Sequence, residues 1–319
     1  MPHEIPQYMS ANYVKDKTSV DILWCQLHTL QDIAQEFGID NIFQDNGAEI
    51  LQQLIYLNMK AVPGREGNDG IDVNGCEWEM KSLDISKGNQ GITTNHHLNA
   101  SIIEKYRTVP WSVSIYDGIH LKKIYVVGNE QLQSLFANWE EQLQTVESIN
   151  NPKIPLSYIE ENGVLIYQEG DEYPIDPMTV IDTTPYIPVQ SAYFRKINCQ
   201  NSVDKCEKAL ANSIKNLDKA RSSEAKARAT LSEKNISLSA GSDDPKELKK
   251  LQKATMSAQK KVDKATEKVA ACLAVVSENE NAVTQAVGAL NAAVAQFQSA
   301  LEQFLEDSNQ TANSEASQE

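Results

Sequence analysis

A heptad repeat in the C-terminal third restricts the fold more than any other feature of this sequence. One mainly apolar position recurs every seven residues through nine repeats: Leu248, Thr255, Val262, Val269, Val276, Val283, Leu290, Phe297 and Phe304. An alanine-rich row follows it at a spacing of three residues: Leu251, Ala258, Ala265, Cys272, Asn279, Ala286, Ala293 and Ala300. A repeat sustained over this length is typical of a left-handed coiled coil.

The same period occurs earlier, at Val203, Leu210 and Leu217, before a break at residues 239–245. We therefore predict an all-α antiparallel coiled-coil hairpin over residues 201–307. The second helix, about 60 residues and on the order of 90 Å long, outruns its partner by roughly 20 residues. We expect its apolar end to be covered by the N-terminal domain or by a second subunit.

The boundaries of this hairpin are also marked in the sequence. Ser242 or Asp243 can cap the second helix, with Pro245 in its first turn. The polar residues 308–319 predict a disordered tail. Residues 169–200 contain four prolines and little periodicity, which predicts an extended connector. The alternative for that segment is an edge strand or hairpin of the preceding domain.

Residues 1–168 mix helical and strand patterns and hold all four tryptophans. Helical spacing recurs in two early runs: Leu27, Leu30, Ile33 and Ala34, then Ile50, Leu51, Leu54 and Ile55. Strand-forming runs follow at residues 113–121 and 123–127, with a turn signal at Asp117-Gly118. This order predicts an α/β or α+β domain.

Charge and composition limit the function. The net charge is −15, and residues 1–168 hold 11 Lys and Arg against 22 Asp and Glu, which argues against a simple DNA-binding surface. A cleft whose carboxylates are compensated by a cation avoids this objection, so any DNA binding should depend on metal. The sequence shows no signal peptide and no apolar run of membrane length, and we expect a cytoplasmic protein. Its five scattered cysteines indicate free thiols.

The residues most suggestive of chemistry lie between Pro63 and Ser82. Several glycines mark turns there, and residues 76–83 read as a strand. Alternation on that strand places three charged side chains on one face: Glu77, Glu79 and Lys81. Asp69 precedes the strand across a turn and can bring a second carboxylate beside Glu79.

Two carboxylates and a lysine suit phosphodiester hydrolysis. Carboxylate oxygens bind Mg²⁺, which stabilises the phosphate and activates a water, and a lysine can orient that water. Asp-x9-Glu-x-Lys alone is a weak pattern, however, because many exposed strands carry Glu-x-Lys as an ion pair. On the pattern alone, the ion pair is the favoured interpretation.

A resemblance to a known family adds to this pattern. The segment is similar to the core of PD-(D/E)xK nucleases and, more narrowly, to the PvuII family of type II restriction endonucleases. The similarity covers residues 20–168 and follows ordered blocks: Ile42-Phe-Gln-Asp-Asn-Gly47, Pro63-Gly-Arg-Glu-Gly-Asn-Asp69, Glu79-Met-Lys-Ser82, His96-His97 with Asn99, Lys105-Tyr-Arg107, Val109-Pro-Trp111 and Ile149-Asn-Asn-Pro-Lys-Ile-Pro155.

The resemblance implies a role for individual residues. Asp69 and Glu79 would bind Mg²⁺, and Lys81 would position the attacking water. Glu66 matches an acid near a secondary metal position, and Tyr106 a tyrosine near the scissile phosphate. Six residues would contact DNA: Asp45, Asn46, Thr94, His96, His97 and Asn151.

Base reading by these residues is chemically reasonable. An imidazole can donate to guanine N7 or O6, and Asn151 can bind adenine through both amide atoms. A solvated turn is the alternative for the histidines, and an Asx turn before Pro152 for Asn151. This chain has Asn95-His96-His97 where the family carries three histidines, and one extra residue between Lys81 and His96. Because both departures lie in the segment expected to read bases, we expect this chain to share the family's cleavage chemistry but not necessarily its recognition sequence.

The resemblance implies a homodimeric type II restriction endonuclease that cuts both strands of a palindrome. The expected site is CAGCTG with blunt ends, and a cognate DNA methyltransferase is the expected partner in the host. The coiled coil has no counterpart in the family, and we expect it to mediate self-assembly as a four-helix bundle or by clustering dimers. The alternatives are a clamp on DNA, a structure-specific or modification-dependent nuclease, and a non-catalytic scaffold.

Overall fold

The computed structural model describes residues 11–44, 46–62, 69–88 and 90–315. The described α-helices, numbered α1 to α7 in chain order, are Ala11–Glu36, Gly47–Tyr56, Ala100–Tyr106, Asn129–Leu143, Leu156–Asn162, Tyr186–Ser239 and Pro245–Glu315. The described strands, β1 to β10, are Lys60–Ala61, Gly70–Ile71, Glu77–Asp84, Gly91–Thr93, His97–Leu98, Trp111–Asp117, His120–Val127, Ile149–Asn150, Lys153–Pro155 and Val164–Gln168. Two 3₁₀ turns complete the order, Ile85–Lys87 and Pro177–Thr179.

Six strands form a mixed central sheet in the order β1-β2-β3-β6-β7-β10. The neighbours β3 and β6 are parallel, with Glu79 opposite Trp111, and all other neighbours are antiparallel. The predicted turn at Asp117-Gly118 joins β6 to β7, and Gly118 takes the left-handed conformation there. The predicted α/β class is confirmed, and the strand with the charged face lies at the centre of the sheet.

The main core packs helices and short strands against this sheet. Its aromatic members include Trp111, Phe136 and Trp139, and the Phe136 ring contacts both tryptophans. A smaller core joins α1 to α2 through Ala34, Ile42 and Leu51. Both early helices occur where the apolar spacing predicted them.

Packing divides the chain into two compact units. The first, called the sheet unit here, comprises the described residues up to Ser191 together with those from Ala300 onward. The second, called the hairpin unit, is Ala192–Ser299. Within the hairpin unit Tyr193 packs on Phe297, and Thr266 donates a hydrogen bond to Glu224. Advancing 31 residues along α6 thus matches retreating 31 along α7, so the two helices are antiparallel.

The structure corrects the predicted ends of the hairpin. Helix α6 begins at Tyr186, inside the segment predicted as an extended connector. Its Pro188 lies in the first turn, where backbone N–H groups have no helical acceptor, so proline is tolerated. The longer α6 also supplies a partner for the apolar end of α7, since Tyr186 packs on Phe304 within the sheet unit.

Two further details of α7 differ from prediction. Asp244 caps the helix by accepting from Lys246 N–H at 2.9 Å, whereas Ser242 or Asp243 was expected in that role. The helix continues to Glu315, through most of the predicted disordered tail, because no Pro or Gly stops it there. Across the described ranges, we find no helix both long and apolar enough to cross a membrane.

Candidate active site

The turn before β3 is organised by a buried carboxylate. Asp72 accepts hydrogen bonds from Asn74 N–H and Cys76 N–H, each at 2.9 Å, and from the indole of Trp78 at 3.0 Å. Gly75 takes a left-handed φ of 86° to close the turn. Asp72 thereby fixes the start of β3 and the side chain of Trp78, which lies on the opposite face of the strand from Glu79 and Lys81. The orientation of the face that carries Glu79 and Lys81 is defined in this way.

Asp69, Glu79 and Lys81 converge around this strand. Met80 N–H donates to Asp69 Oδ2 at 2.8 Å, so the aspartate is held against the strand by its own side chain. Lys81 Nζ donates to Glu79 Oε1 at 2.5 Å, which confirms that these two residues share a face. Only 7% of the Glu79 side chain and 15% of the Lys81 side chain are exposed.

The surroundings of this cluster disfavour the presence of two ionised carboxylates side by side. Burial raises the pKa of Asp69 to about 6, the nearby Glu79 adds to the rise, and Lys81 opposes it. Burial alone would lower the pKa of Lys81, but Glu79, Tyr106 and Asp69 outweigh it and hold that pKa above its ordinary value. Lys81 is therefore protonated beside these carboxylates and acts as a hydrogen-bond donor.

Two aromatic rings form one side of the lysine's surroundings. Lys81 Nζ lies 5.8 Å from the ring centre of Tyr106 and 6.0 Å from that of Trp111, within the range of cation–π attraction. The Tyr106 hydroxyl donates to Thr94 O at 3.2 Å, and burial raises the pKa of this phenol, although Lys81 opposes the rise. Tyr106 is thus present beside the cluster as a neutral, anchored phenol.

The short strands bring the predicted base-reading residues together. Strand β5 pairs with β8, which places His97 opposite Asn150. His96 Nδ1 lies 2.6 Å from Asn151 Oδ1, and Asn151 Nδ2 donates to Asn150 Oδ1 at 3.1 Å. His96, His97 and Asn151 are all exposed, and Asn151 has a left-handed φ of 47°. His96 and Asn151 thus meet although 55 positions separate them in sequence.

The other predicted DNA contacts have different surroundings. Thr94 is buried, and its hydroxyl donates to Pro152 O at 3.3 Å. It links Pro152, the residue after Asn151, to Tyr106. Asn46 is exposed at the start of α2 with a left-handed φ of 61°. Asp45 and Glu66 lie outside the described residues.

The donor set suits a hard divalent cation. Within the described ranges, no group of three or more His, Cys, Asp or Glu side chains is placed to hold a metal. Two carboxylates are sufficient for Mg²⁺, which commonly completes its octahedron with water and substrate phosphate. Burial, and after it crowding with the negative charge of Glu79, raises the pKa of Asp69, and a cation would offset both effects. Asp69 and Glu79 therefore fit the chemistry of this ion.

Several residues of the site were not singled out from the sequence. Asp72 had a local signal, since Asp-x-Asn-Gly is a turn sequence. Trp111 belonged to a matching block, but its position beside Lys81 follows only from the parallel pairing of β3 with β6. Gln190 had no signal, although its buried side chain reaches the start of β3 from 113 residues away.

Residues 15–167 match the family described as Restriction endonuclease PvuII. The match covers slightly under half of the 319 residues and includes each described residue of the candidate site before α6. The N-terminal half is a PvuII-like restriction endonuclease domain, which implies a type II site-specific nuclease.

Proposed function

From this restriction endonuclease domain, we propose that the protein is a Mg²⁺-dependent homodimer that cuts both strands of double-stranded DNA at a short palindrome. The proposed catalytic domain is residues 1–168, and the proposed target is CAGCTG-like with blunt ends. One observation carries the proposal: the buried cluster of Asp69, Glu79 and Lys81 on the central strand of the matched domain.

Each member of the cluster has a proposed role in hydrolysis. Asp69 and Glu79 would hold Mg²⁺, whose chemistry is to withdraw charge from the phosphate and to acidify the attacking water. Lys81, fixed by Glu79 at 2.5 Å and protonated, orients that water and offsets charge on the phosphate. The products are 5′-phosphate and 3′-hydroxyl ends.

Two residues have secondary proposed roles. The Tyr106 ring stabilises the ammonium of Lys81 by a cation–π contact. This position beside the cluster is the reason for placing Tyr106 near the scissile phosphate. Glu66 would serve a second metal position. The proposed contacts of Asp45, Asn46 and Thr94 with DNA complete the assignment, with Thr94 contributing by its position between Tyr106 and Pro152.

Base recognition is proposed to rest on His96, His97 and Asn151. Because Asn151 Nδ2 donates to Asn150, its Oδ1 faces His96 and accepts the Nδ1 proton. A neutral His96 then presents Nε2 as an acceptor, which suits the amino group of adenine or cytosine. Donation to guanine requires a charged His96 or release of Asn151. Cut-site mapping decides between these possibilities.

A second copy of this chain is the proposed partner for palindrome recognition, since two-fold protein symmetry matches a palindrome. Exposed apolar side chains on α1 support this, because Val20, Leu23 and Trp24 share one side of the helix and are each about half exposed. Trp24 stacks on Phe43, itself 64% exposed, at a centroid distance of 5.9 Å. Burying such a surface in a dimer would stabilise it.

Self-assembly through the coiled coil is a separate proposal. Leu273 and Val275 lie outside the heptad seam of α7 and are 44% and 49% exposed. A four-helix bundle between two hairpins would cover them. Replacing both with lysine in the full chain should reduce the assembly size measured by light scattering. An unchanged size would exclude this role for the exposed pair.

The decisive experiment is a plasmid digest with the cut ends mapped, in Mg²⁺ and in EDTA. We expect discrete blunt fragments in Mg²⁺, no cleavage in EDTA, and one palindrome at every cut. Methylated plasmid is digested in parallel, and protection of its sites supports a cognate methyltransferase. Cleavage confined to methylated or branched DNA would replace this proposal with another nuclease class, and no cleavage at all would favour a scaffold.

A further inference from the structure

Gln190 is a buried amide that reaches the catalytic strand from the first turns of α6. Only 4% of the residue is exposed. Its Oε1 accepts from Glu77 N–H at 2.9 Å, and its Nε2 donates to Glu77 O at 2.9 Å and to Thr108 O at 3.0 Å. A third neighbour of Nε2 is the buried thiol of Cys76 at 3.2 Å. Every polar atom of this side chain is therefore used at the start of β3.

The two segments that Gln190 joins are those that hold Glu79. Glu77 precedes Glu79 by two residues on the same strand. Thr108 precedes Pro110 by two residues, and Pro110 O accepts from Glu79 N–H at 3.0 Å. One amide thus bridges both backbones immediately before the point where they pair around Glu79. A shift of either segment would move the carboxylate relative to Asp69 and Lys81.

The helix that carries Gln190 is itself fixed on the sheet unit. Tyr186 is buried, and its hydroxyl accepts from Asn129 N–H at 2.8 Å. The Tyr186 ring also packs on Phe304, which belongs to the same unit, at 4.7 Å. Gln190 lies four residues further along, one helical turn from this anchor. The amide is therefore presented to β3 from a rigid support.

We propose that Gln190 is a positioning residue for catalysis, although it lies beyond the matched nuclease domain. This rests on the proposed function, since the residue acts through Glu79. Gln190 contacts neither DNA nor metal in this role. It sets the strand that carries a metal ligand, so its loss changes turnover and metal affinity and leaves DNA affinity unchanged.

The test compares Gln190→Met with Tyr186→Phe in the full-length protein. Gln190→Met keeps the approximate length and shape of the side chain and removes its hydrogen bonds. Tyr186→Phe removes one hydrogen bond of the same helix, made to α4 rather than to β3, and controls for a general loss of stability. Each protein is measured for Tm, for kcat and KM on plasmid, and for Mg²⁺ affinity by calorimetry without DNA.

We expect Gln190→Met to lower kcat by about tenfold or more with KM unchanged, because small misplacements of catalytic groups are costly. Its Mg²⁺ affinity should fall several-fold, whereas Tyr186→Phe should lower Tm and leave kcat and Mg²⁺ affinity near wild type. If Gln190→Met does not fold, Gln190→Asn, which keeps the amide but is one methylene short, is judged by the same ratios. Wild-type kcat and Mg²⁺ affinity in the folded Gln190 variant overturn the proposal.

The outcomes also separate this inference from the function on which it rests. A wild-type protein that cleaves no DNA contradicts the proposed function. Mg²⁺ affinity still tests Gln190 in that case, because the measurement depends on Asp69 and Glu79 and requires no turnover. Equal Mg²⁺ affinity in wild type and Gln190→Met would then count against the positioning role by itself.

Discussion

The sheet unit and the hairpin unit bury different kinds of side chain. Among the described residues, the buried polar or charged side chains of the sheet unit include Asp72, Glu79, Asn129 and Gln190, each of which is hydrogen-bonded. Asn129 and Gln190 bond to residues distant in sequence, whereas the partners of Asp72 and Glu79 lie within six residues of them. In the hairpin unit the buried polar member is Ser213, which bonds the carbonyl of its own helix at Leu210. The buried polar side chains of the sheet unit therefore orient strands and site residues. The hairpin unit buries mainly apolar side chains, which pack its two helices together.

The contrast indicates that substitutions in the sheet unit should act mainly on function and those in the hairpin unit mainly on stability. A buried polar group costs free energy unless it is fully bonded, so its presence marks a place where geometry matters. An apolar seam tolerates exchange of similar side chains and specifies mainly length and register. Four predictions test this difference between the two units.

The largest expected effect is on catalysis, in the buried ion pair. Lys81→Met should lower the cleavage rate by about 10³-fold, because it removes the charge that stabilises the phosphate. Lys122→Met is the matched control, since Lys122 pairs with Glu169 at 2.8 Å on the exposed side of the same unit. Single-turnover cleavage at saturating DNA measures both. Comparable rates for the two variants would show that the buried pair has no special role.

The next effect is on the stability of the hairpin unit. Phe297 is 1% exposed, with Tyr193 and Lys196 against its ring. Phe297→Ala should lower the free energy of unfolding by about 3–5 kcal/mol, because a large cavity replaces the ring. Leu273→Ala, at a position 44% exposed outside the seam, should cost well under half of that. Urea unfolding followed by circular dichroism compares them, and equal losses would contradict the seam.

A third substitution should stabilise the sheet unit while abolishing its activity. The pKa of Asp69 is raised from 3.8 to about 6, so the charged form is unfavourable in the folded protein. That penalty develops as pH rises through this range and is complete above it. At pH 8 in EDTA, Asp69→Asn should therefore gain about 1–3 kcal/mol. The amide oxygen can still accept from Met80 N–H.

Thermal denaturation with and without Mg²⁺ measures this gain. The wild type should be stabilised by Mg²⁺, because an ion that binds only the folded state raises Tm. Asp69→Asn should respond much less. A variant that is less stable than wild type in EDTA would mean that the carboxylate is held favourably, contrary to the crowding described above.

The smallest effects concern two glycines of the helical region and should have opposite signs. Gly241 takes a left-handed φ of 73° in the turn before α7, whereas Gly288 lies within α7 with open space where a Cβ would be. Gly241→Ala should cost about 1 kcal/mol through backbone strain. Gly288→Ala should gain about 0.5–1 kcal/mol through helix propensity. Shifts of the same sign in chemical denaturation would contradict this reading of the backbone.

Features set by a local or repeating pattern could be predicted from the sequence, whereas those set by contacts distant in sequence could not. The antiparallel hairpin was predictable because one pattern repeats nine times, and the face of Glu79 and Lys81 because strand alternation is local. The predicted start of α6 was wrong because a proline such as Pro188 usually interrupts a helix. In the first turn a proline is tolerated, so α6 begins at Tyr186. Gln190 could not be predicted, since its bond to Glu77 spans 113 residues and leaves no trace in local sequence.

The pairing of Tyr186 with Phe304 also has a consequence for synthesis. These rings belong to one compact unit, yet 118 residues separate them along the chain. At ribosomal rates, on the order of ten seconds pass between the emergence of the first ring and that of the second. Throughout that interval the nascent protein has its entire sheet and the amide of Gln190, but Tyr186 lacks its aromatic neighbour. Maturation of the unit therefore waits for the last turns of the final helix to leave the ribosome.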